Sequence, residues 1–231
     1  MSEDVSYPAD AGATALMLTV RGTTTQSSVE DSRRMHNATA GAPPSVAAAQ
    51  SLGDLSHNVY VGRGGDVSGE VLFIDFWNSQ SGLGGFFSNP QVQAAADQLF
   101  VSRDAVVWAP APEFGEVALT VPSGRSVVGV GVLRATVTDM EKAASAFGAY
   151  LAGTVNQARR HGLVAHRVLT RVPNPGEQPL PEVIGVDLWM DLAEMDRYYE
   201  LGAGFDLLGP ALAGQPDTSV WESAPGNWTE W

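Results

Sequence analysis

Apolar residues in this chain run in strand-length blocks, and the blocks recur in a fixed order. Two are clearest: Val71-Leu72-Phe73-Ile74-Asp75-Phe76-Trp77 and Val183-Ile184-Gly185-Val186-Asp187-Leu188-Trp189. Each carries a lone Asp two residues before a Trp, and the offset is 112 residues. Upstream, Leu55–Tyr60 (LSHNVY) matches Val164–Leu169 (VAHRVL) at offset 109, and Leu16–Thr23 matches Gly129–Thr136 at offset 113. Downstream, Asp104–Pro110 resembles Asp217–Ser223, again at offset 113. Four blocks in one order at a nearly constant offset mark an internal duplication.

Each half reads strand, helix, strand, strand, helix, strand. In the second half Met140, Ala144, Phe147, Leu151 and Val155 recur at helical spacing, and Thr138 or Asp139 can cap a helix running to Arg160. The matching stretch of the first half, Val29–Ser51, must break at Gly41, Pro43 and Pro44, because an interior proline forfeits a backbone hydrogen bond. The second helix is expected near Asn89–Phe100 and Leu192–Leu201, with a further short turn at Phe205–Ala211. The order βαββαβ is the ferredoxin-like, split βαβ motif. The expected fold class is therefore α+β, with two such repeats, 12–115 and 126–231, packed sheet to sheet as an intramolecular barrel. Pro110–Gly124 reads as the linker, and Trp228 or Trp231 should anchor the aromatic C-terminal tail.

Alternation along a strand sorts its residues onto two faces. Leu72, Ile74 and Phe76, like Ile184, Val186 and Leu188, form a purely apolar face that should pack on helices. Asp75 with Trp77, and Asp187 with Trp189, should then look into the space between the sheets. Counting across the hairpins sets Val61 opposite Val71, Val59 opposite Phe73 and His57 opposite Asp75. In the second half the same count sets Thr170 opposite Val183, Val168 opposite Gly185 and His166 opposite Asp187. Directly opposed side chains lie roughly 5 Å apart at Cβ. Each half can thus hold a His–Asp pair beside a Trp. A carboxylate orients imidazole and fixes its tautomer, which makes His57 or His166 a candidate general acid or base. The same pairs can equally serve only to satisfy buried polarity.

Composition narrows the function classes. The net charge of −13 disfavours nucleic acid and anionic membranes as partners. The chain has no cysteine, which excludes disulfides and thiolate chemistry. Met1–Asp10 lacks a basic region followed by an apolar run, so no leader is expected and a cytoplasmic location is the default. Arg21 and Arg134 end equivalent strands and can bind a carboxylate or phenolate. Asn58 and Tyr60 flank the first His where the second half has Arg167 and Leu169. Arg33, Arg34 and His36 read as a solvated helix face, or as a lid over the first site. No His-Glu-x-x-His motif is present, and no metal is expected.

The segment Phe73-Ile74-Asp75-Phe76-Trp77-Asn78-Ser79, followed by Gly82-Leu83 and a helix after Asn89-Pro90, resembles the dimeric α+β barrel superfamily. It is most similar to antibiotic-biosynthesis-monooxygenase-type domains. Val186–Asp191 of the second half fits more loosely. The resemblance implies a pocket between each sheet and its helices or loops. It also implies an enzyme among oxygenases, isomerases, lyases and haem proteins, and carries over Asp75 and Trp77, with Asp187 and Trp189 through the repeat. The resulting expectation is a cofactor-independent oxidoreductase or isomerase on a small aromatic or polyketide-like molecule. His57 or His166 removes a proton, Asp75 or Asp187 orients it, and Trp77 and Trp189 hold the ring. The alternative is a haem- or aromatic-ligand-binding protein without turnover. The duplication suggests a monomer acting as a pseudo-dimer, or a homodimer of it.

Overall fold

The computed structural model describes residues 15–119, 121, 124–174 and 176–231. The reading of Met1–Asp10 lies outside the described residues. The first repeat runs β1 (Leu16–Thr24), α1 (Val29–Ala38), α2 (Pro43–Ser51), β2 (Asp54–Gly62), β3 (Glu70–Trp77), α3 (Gln80–Phe87), α4 (Pro90–Leu99) and β4 (Phe100–Pro110). A two-residue strand, β5 (Val117–Ala118), precedes the second. That repeat runs β6 (Gly129–Thr136), α5 (Met140–Arg160), β7 (Leu163–Arg171), β8 (Glu182–Trp189), α6 (Leu192–Glu200) and β9 (Asp217–Ser223). Neighbouring strands are ordered β4-β1-β3-β2 in one repeat and β9-β6-β8-β7 in the other, the same ferredoxin-like order twice.

Local chemistry accounts for the helix ends. Ser28 Oγ accepts the Asp31 N–H at the start of α1, and Asp139 Oδ1 accepts the Lys142 N–H at the start of α5. The chain leaves α1 at Ala38 and restarts with Pro43 in the first turn of α2, where a missing N–H costs nothing. Helix α3 was not expected. It begins three residues after Trp77, as α6 does after Trp189, so α3 is the sequence counterpart of α6 and α4 is extra.

The hairpin registers are those obtained by counting. β2 and β3 pair Val61 with Val71, Val59 with Phe73 and His57 with Asp75. β7 and β8 pair Thr170 with Val183, Val168 with Gly185 and His166 with Asp187. The facing is the reverse of that expected. Val71, Phe73 and Trp77 share a core with Ala49, Leu83 and Leu99 of the helices. Val183 packs with Ala143 and Phe147 of α5, and Trp189 with Met195 and Tyr198 of α6. The Asp/Trp face therefore lies under the helices. Both faces of β3 are buried, so apolarity alone does not distinguish them. The Asp is tolerated beneath helices because the opposed His satisfies it.

By packing, the chain divides into two compact units: residues 15–107 with Ser223–Trp231, and Trp108–Glu222. The units exchange chain ends relative to the proposed repeats 12–115 and 126–231. In the first unit the tail lies along β2: the His57 N–H donates to Trp231 O at 2.8 Å and the Val59 N–H to Glu230 Oε1 at 2.7 Å. Trp228 joins the core there. In the second unit much of the expected linker is built in. Phe114 is fully buried against Phe147, and Val117 pairs with His166 at the edge of β7. Apolar Phe114 and Val117 anchor a stretch that its Pro, Glu and Gly content marks as a connector. Among the described residues no helix is long and apolar enough to cross a membrane.

Candidate functional site

In the second unit β7 and β8 bring the His166 and Asp187 side chains to 2.6 Å, Nδ1 to Oδ1. The other carboxylate oxygen accepts the Tyr199 hydroxyl at 2.9 Å, and that hydroxyl accepts the Trp189 indole N–H at 3.1 Å. The chain of donors fixes the roles. Trp189 can only donate, so Tyr199 donates onward to Asp187, and Asp187 takes the Nδ1 proton of His166. In the neutral ring the free lone pair is then on Nε2. That atom is buried and has no hydrogen-bond partner among the described residues.

His166 lines a cavity of about 400 Å³ between β6, β8, β9 and the helices α5 and α6, the size range of small-molecule sites. Its walls are Leu133, Phe147, Tyr150, Tyr198, Phe205 and Leu208, with Asp187 at the base. Two glycines make room. Gly185 stands where the first repeat has Phe73, and Gly131, opposite Asp187, stands where it has Leu18. A Cβ on Gly131 would fall 1.8 Å from the Tyr199 hydroxyl oxygen, so only glycine admits this hydroxyl. Burial, then the Asp187 charge, pushes the Tyr199 pKa well above its ordinary value, and Tyr150 is raised for the same two reasons. Both phenols stay protonated; Tyr199 donates to Asp187, and the Tyr150 hydroxyl lies 3.3 Å from that of Tyr198. The Tyr150 ring centre is 6.4 Å from that of His166.

The first unit forms its His–Asp pair too, with His57 Nδ1 at 2.6 Å from Asp75 Oδ1. Here the other nitrogen is occupied. His57 Nε2 is 3.0 Å from His36 Nε2, and the two rings stack with centroids 5.1 Å apart. Asn37 sets the proton positions. Its amide donates to Asn227 O at 2.8 Å, and its Oδ1 accepts the Thr229 N–H at 3.0 Å, so Oδ1 must also accept His36 Nδ1–H at 3.0 Å. Burial, then the nearby His57, drives the His36 pKa down to about 3, so this ring is neutral and its Nε2 can only accept. His57 therefore donates from Nε2, and the Asp75–His57 pair holds a proton that the His166–Asp187 pair does not need. Trp231 stacks on His57 at 4.7 Å.

His36, read as part of a solvated face, is fully buried. Ser32 and His36, one turn apart, form the inward stripe of α1, and a polar stripe leaves no trace in an apolar pattern. Trp77 and Trp189 are fully buried and line neither cavity; each lies behind the aromatic pair of its helix, Phe86-Phe87 or Tyr198-Tyr199. That one difference supplies Trp189 with a hydroxyl acceptor, whereas Trp77 Nε1 has no partner among the described residues. Arg21 is held by Glu70 at 2.6 Å and Arg134 by Glu182, at strand ends away from both cavities. Asn58 and Tyr60 are buried on the face of β2 opposite His57. Tyr150, Tyr198, Tyr199, Asp54 and Trp231 were not singled out by site reasoning. The Tyr-Tyr pair 112 residues after Phe-Phe was the available signal.

No family model and no curated protein matches this sequence. Solved structures do. An anthrone oxidase-like protein superposes with TM-score 0.66 at 15% identity, covering 95% of each chain. A chlorite dismutase from Candidatus Nitrospira defluvii gives TM-score 0.51 at 10% identity, over 92% of each chain. A haem-binding protein from Thermus thermophilus gives 0.52 at 11% identity, over 91% of this chain and 90% of that one. The expectation of a site that works without a cofactor does not stand, because chlorite dismutase and a haem-binding protein share this fold along nearly the whole chain. Identities this low carry the fold and not the chemistry. The chain has a ferredoxin-like α+β fold, present as a tandem duplication, the fold that these structures share.

Proposed function

We propose that the second-repeat cavity binds a small, planar aromatic or polyketide-like molecule and that His166 Nε2 takes a proton from it. The observation that carries this reading is the buried, unpartnered Nε2 on a ring whose Nδ1 is fixed by Asp187. A general base needs its lone pair aimed at the substrate and its tautomer held, and Asp187 with Tyr199 supplies the holding. The apolar and aromatic wall suits a flat ring, and the protonated Tyr150 hydroxyl can donate to an oxygen that gains charge as the proton leaves. His57 is excluded from this role because His36 occupies its Nε2.

Anthrone is a suitable probe, since its ring carbonyl acidifies the opposite C–H. The protein should speed exchange of those protons with deuterated solvent. His166→Ala should remove the acceleration, and Asp187→Asn, which frees the tautomer, should slow exchange by about 10²-fold or more. Exchange by His166→Ala at the wild-type rate contradicts the assignment.

A second reading rests on the same atom. An imidazole with Nδ1 on a carboxylate and Nε2 free is the donor arrangement of a metal-ligating histidine, and the aromatic and apolar walls suit a flat macrocycle, so His166 would be the residue that holds haem iron. Among the described residues, no Lys or Arg lines the cavity to pair with its carboxylates. Bound haem would supply an iron centre for redox or ligand chemistry. Titration with haem distinguishes the readings: a Soret band that His166→Ala abolishes favours the ligand role, and none favours the base.

A further inference from the structure

The first unit encloses its own cavity, of about 390 Å³, walled by Leu18, Phe73, Phe86 and Phe100. It is not a chemical copy of the second. Both nitrogens of its histidine are engaged, and the Tyr199 hydroxyl has no counterpart, because Phe87 stands at that position. Two other polar atoms at this cavity are unsatisfied. Asp54 Oδ1 and Trp231 Nε1 are buried without a hydrogen-bond partner among the described residues, and both residues line the space. The indole is near enough to Asp54 to favour its carboxylate slightly, but the two do not form a full hydrogen bond. Asp54 is only 6% exposed. A buried polar atom without a partner costs about 1–3 kcal/mol, so two at one cavity mark a place where a ligand supplies the missing bonds.

We propose that this cavity is a second binding site, for an uncharged, mainly aromatic or hydrocarbon molecule bearing one hydroxyl or carbonyl group. The Asp54 carboxyl and the Trp231 indole N–H hold that group. The indole can only donate and so takes the ligand's oxygen. The charges around the anchor select against ions. Asp75 would repel an incoming anion, and its carboxylate is already paired with His57 and so is not free to balance a cation. Arg103, at the rim, is tied to Asp97 at 2.7 Å. Burial, then the Asp75 charge, raises the Asp54 pKa to about 8, so at neutral pH the carboxyl can donate as well as accept. Glu230, on the tail that carries Trp231, is also raised by burial. The site is independent of any chemistry at His166.

The test uses 2-naphthol, 2-naphthoate, 2-naphthylmethylammonium and naphthalene, followed at pH 7 through the Trp231 indole N–H signal in nuclear magnetic resonance. That signal reports on this cavity alone. 2-Naphthol should shift it, and the two ions and the bare hydrocarbon should bind at least about tenfold more weakly, the worth of one good hydrogen bond to a buried group. Asp54→Ala should weaken 2-naphthol about tenfold, read through the same signal. Asp54→Asn, which keeps a neutral donor and acceptor, should stay within about threefold. Trp231→Phe keeps a ring and removes only the N–H. It carries the test by calorimetry if Asp54→Ala fails to fold, with the same tenfold loss expected. An indole signal indifferent to 2-naphthol, an ion that binds as tightly, or anchor variants that bind like the wild type would overturn the proposal.

Discussion

Asp54→Asn is expected to make the protein more stable at pH 8, by on the order of 4 kcal/mol, and to flatten its stability between pH 6.5 and 8. The sign follows from burial. Folding raises the Asp54 pKa from 3.8 to about 8, so its stabilising contribution is complete below pH 3.8 and is lost as pH rises toward 8. Folding lowers the His36 pKa from 6.5 to about 3, so its contribution is complete above pH 6.5 and is lost as pH falls toward 3. Glu230, raised from 4.5, acts in the direction of Asp54 at the acidic end. Between pH 4 and 6.5 Asp54 and His36 oppose each other. Above pH 6.5 Asp54 acts alone, at about 1.4 kcal/mol per pH unit, so the wild type should lose about 2 kcal/mol by pH 8. Denaturant unfolding at pH 5, 6.5 and 8 checks this. A variant whose stability tracks the wild type across that range would show that Asp54 ionises normally in the folded protein.

The second large effect is expected from Gly131→Ala. The new methyl group would overlap the Tyr199 hydroxyl, 1.8 Å away, in the middle of β6 where the backbone has little freedom to retreat. The Tyr199 side chain must leave, which breaks its bonds to Asp187 and from Trp189 together. Overpacking costs about 1–3 kcal/mol, and the orphaned carboxylate oxygen and indole add to it, so a loss of about 3–4 kcal/mol is expected. Tyr199→Phe separates the parts, since it removes the hydroxyl without the clash and should cost about 1–2 kcal/mol. Thermal unfolding of the pair checks the order. Equal losses would mean that the hydroxyl bond, and not the steric overlap, dominates. A Gly131→Ala protein as stable as wild type would contradict the tight approach itself.

Much of this architecture was legible in the residues because strand geometry is digital. A period of two and a hairpin leave few registers, and the repeat checks each against the other, so His57 could be set opposite Asp75 and His166 opposite Asp187. Which face meets the helices was not legible. Both faces of β3 are buried, and an Asp under helices looks wrong until its His partner is counted. The inequality of the two sites was hidden for another reason. It depends on side chains from elsewhere in the sequence: His36 from the irregular first helix, Trp231 from the tail, and Tyr199 from a helix whose first-repeat counterpart was placed one helix too late. The Phe-Phe and Tyr-Tyr pairs, in step with the strand offset, held the correction in plain view. The connector around Phe114 is the same lesson at smaller scale, since one buried aromatic outweighs the Pro and Gly around it.

Two histidines, each paired with an Asp in the same register, differ in what meets Nε2. The most direct test is the ¹⁵N spectrum of the imidazoles at neutral pH, with and without anthrone. The predicted result is one His signal, assigned by His166→Ala, with a pyridine-type Nε2 that moves on adding anthrone. The His57 signal should show a protonated Nε2 that does not respond to anthrone and that loses its proton signature in His36→Ala. If His57 has the free, ligand-sensitive Nε2 and His166 stays silent, the assignment of the reacting atom to the second repeat is wrong.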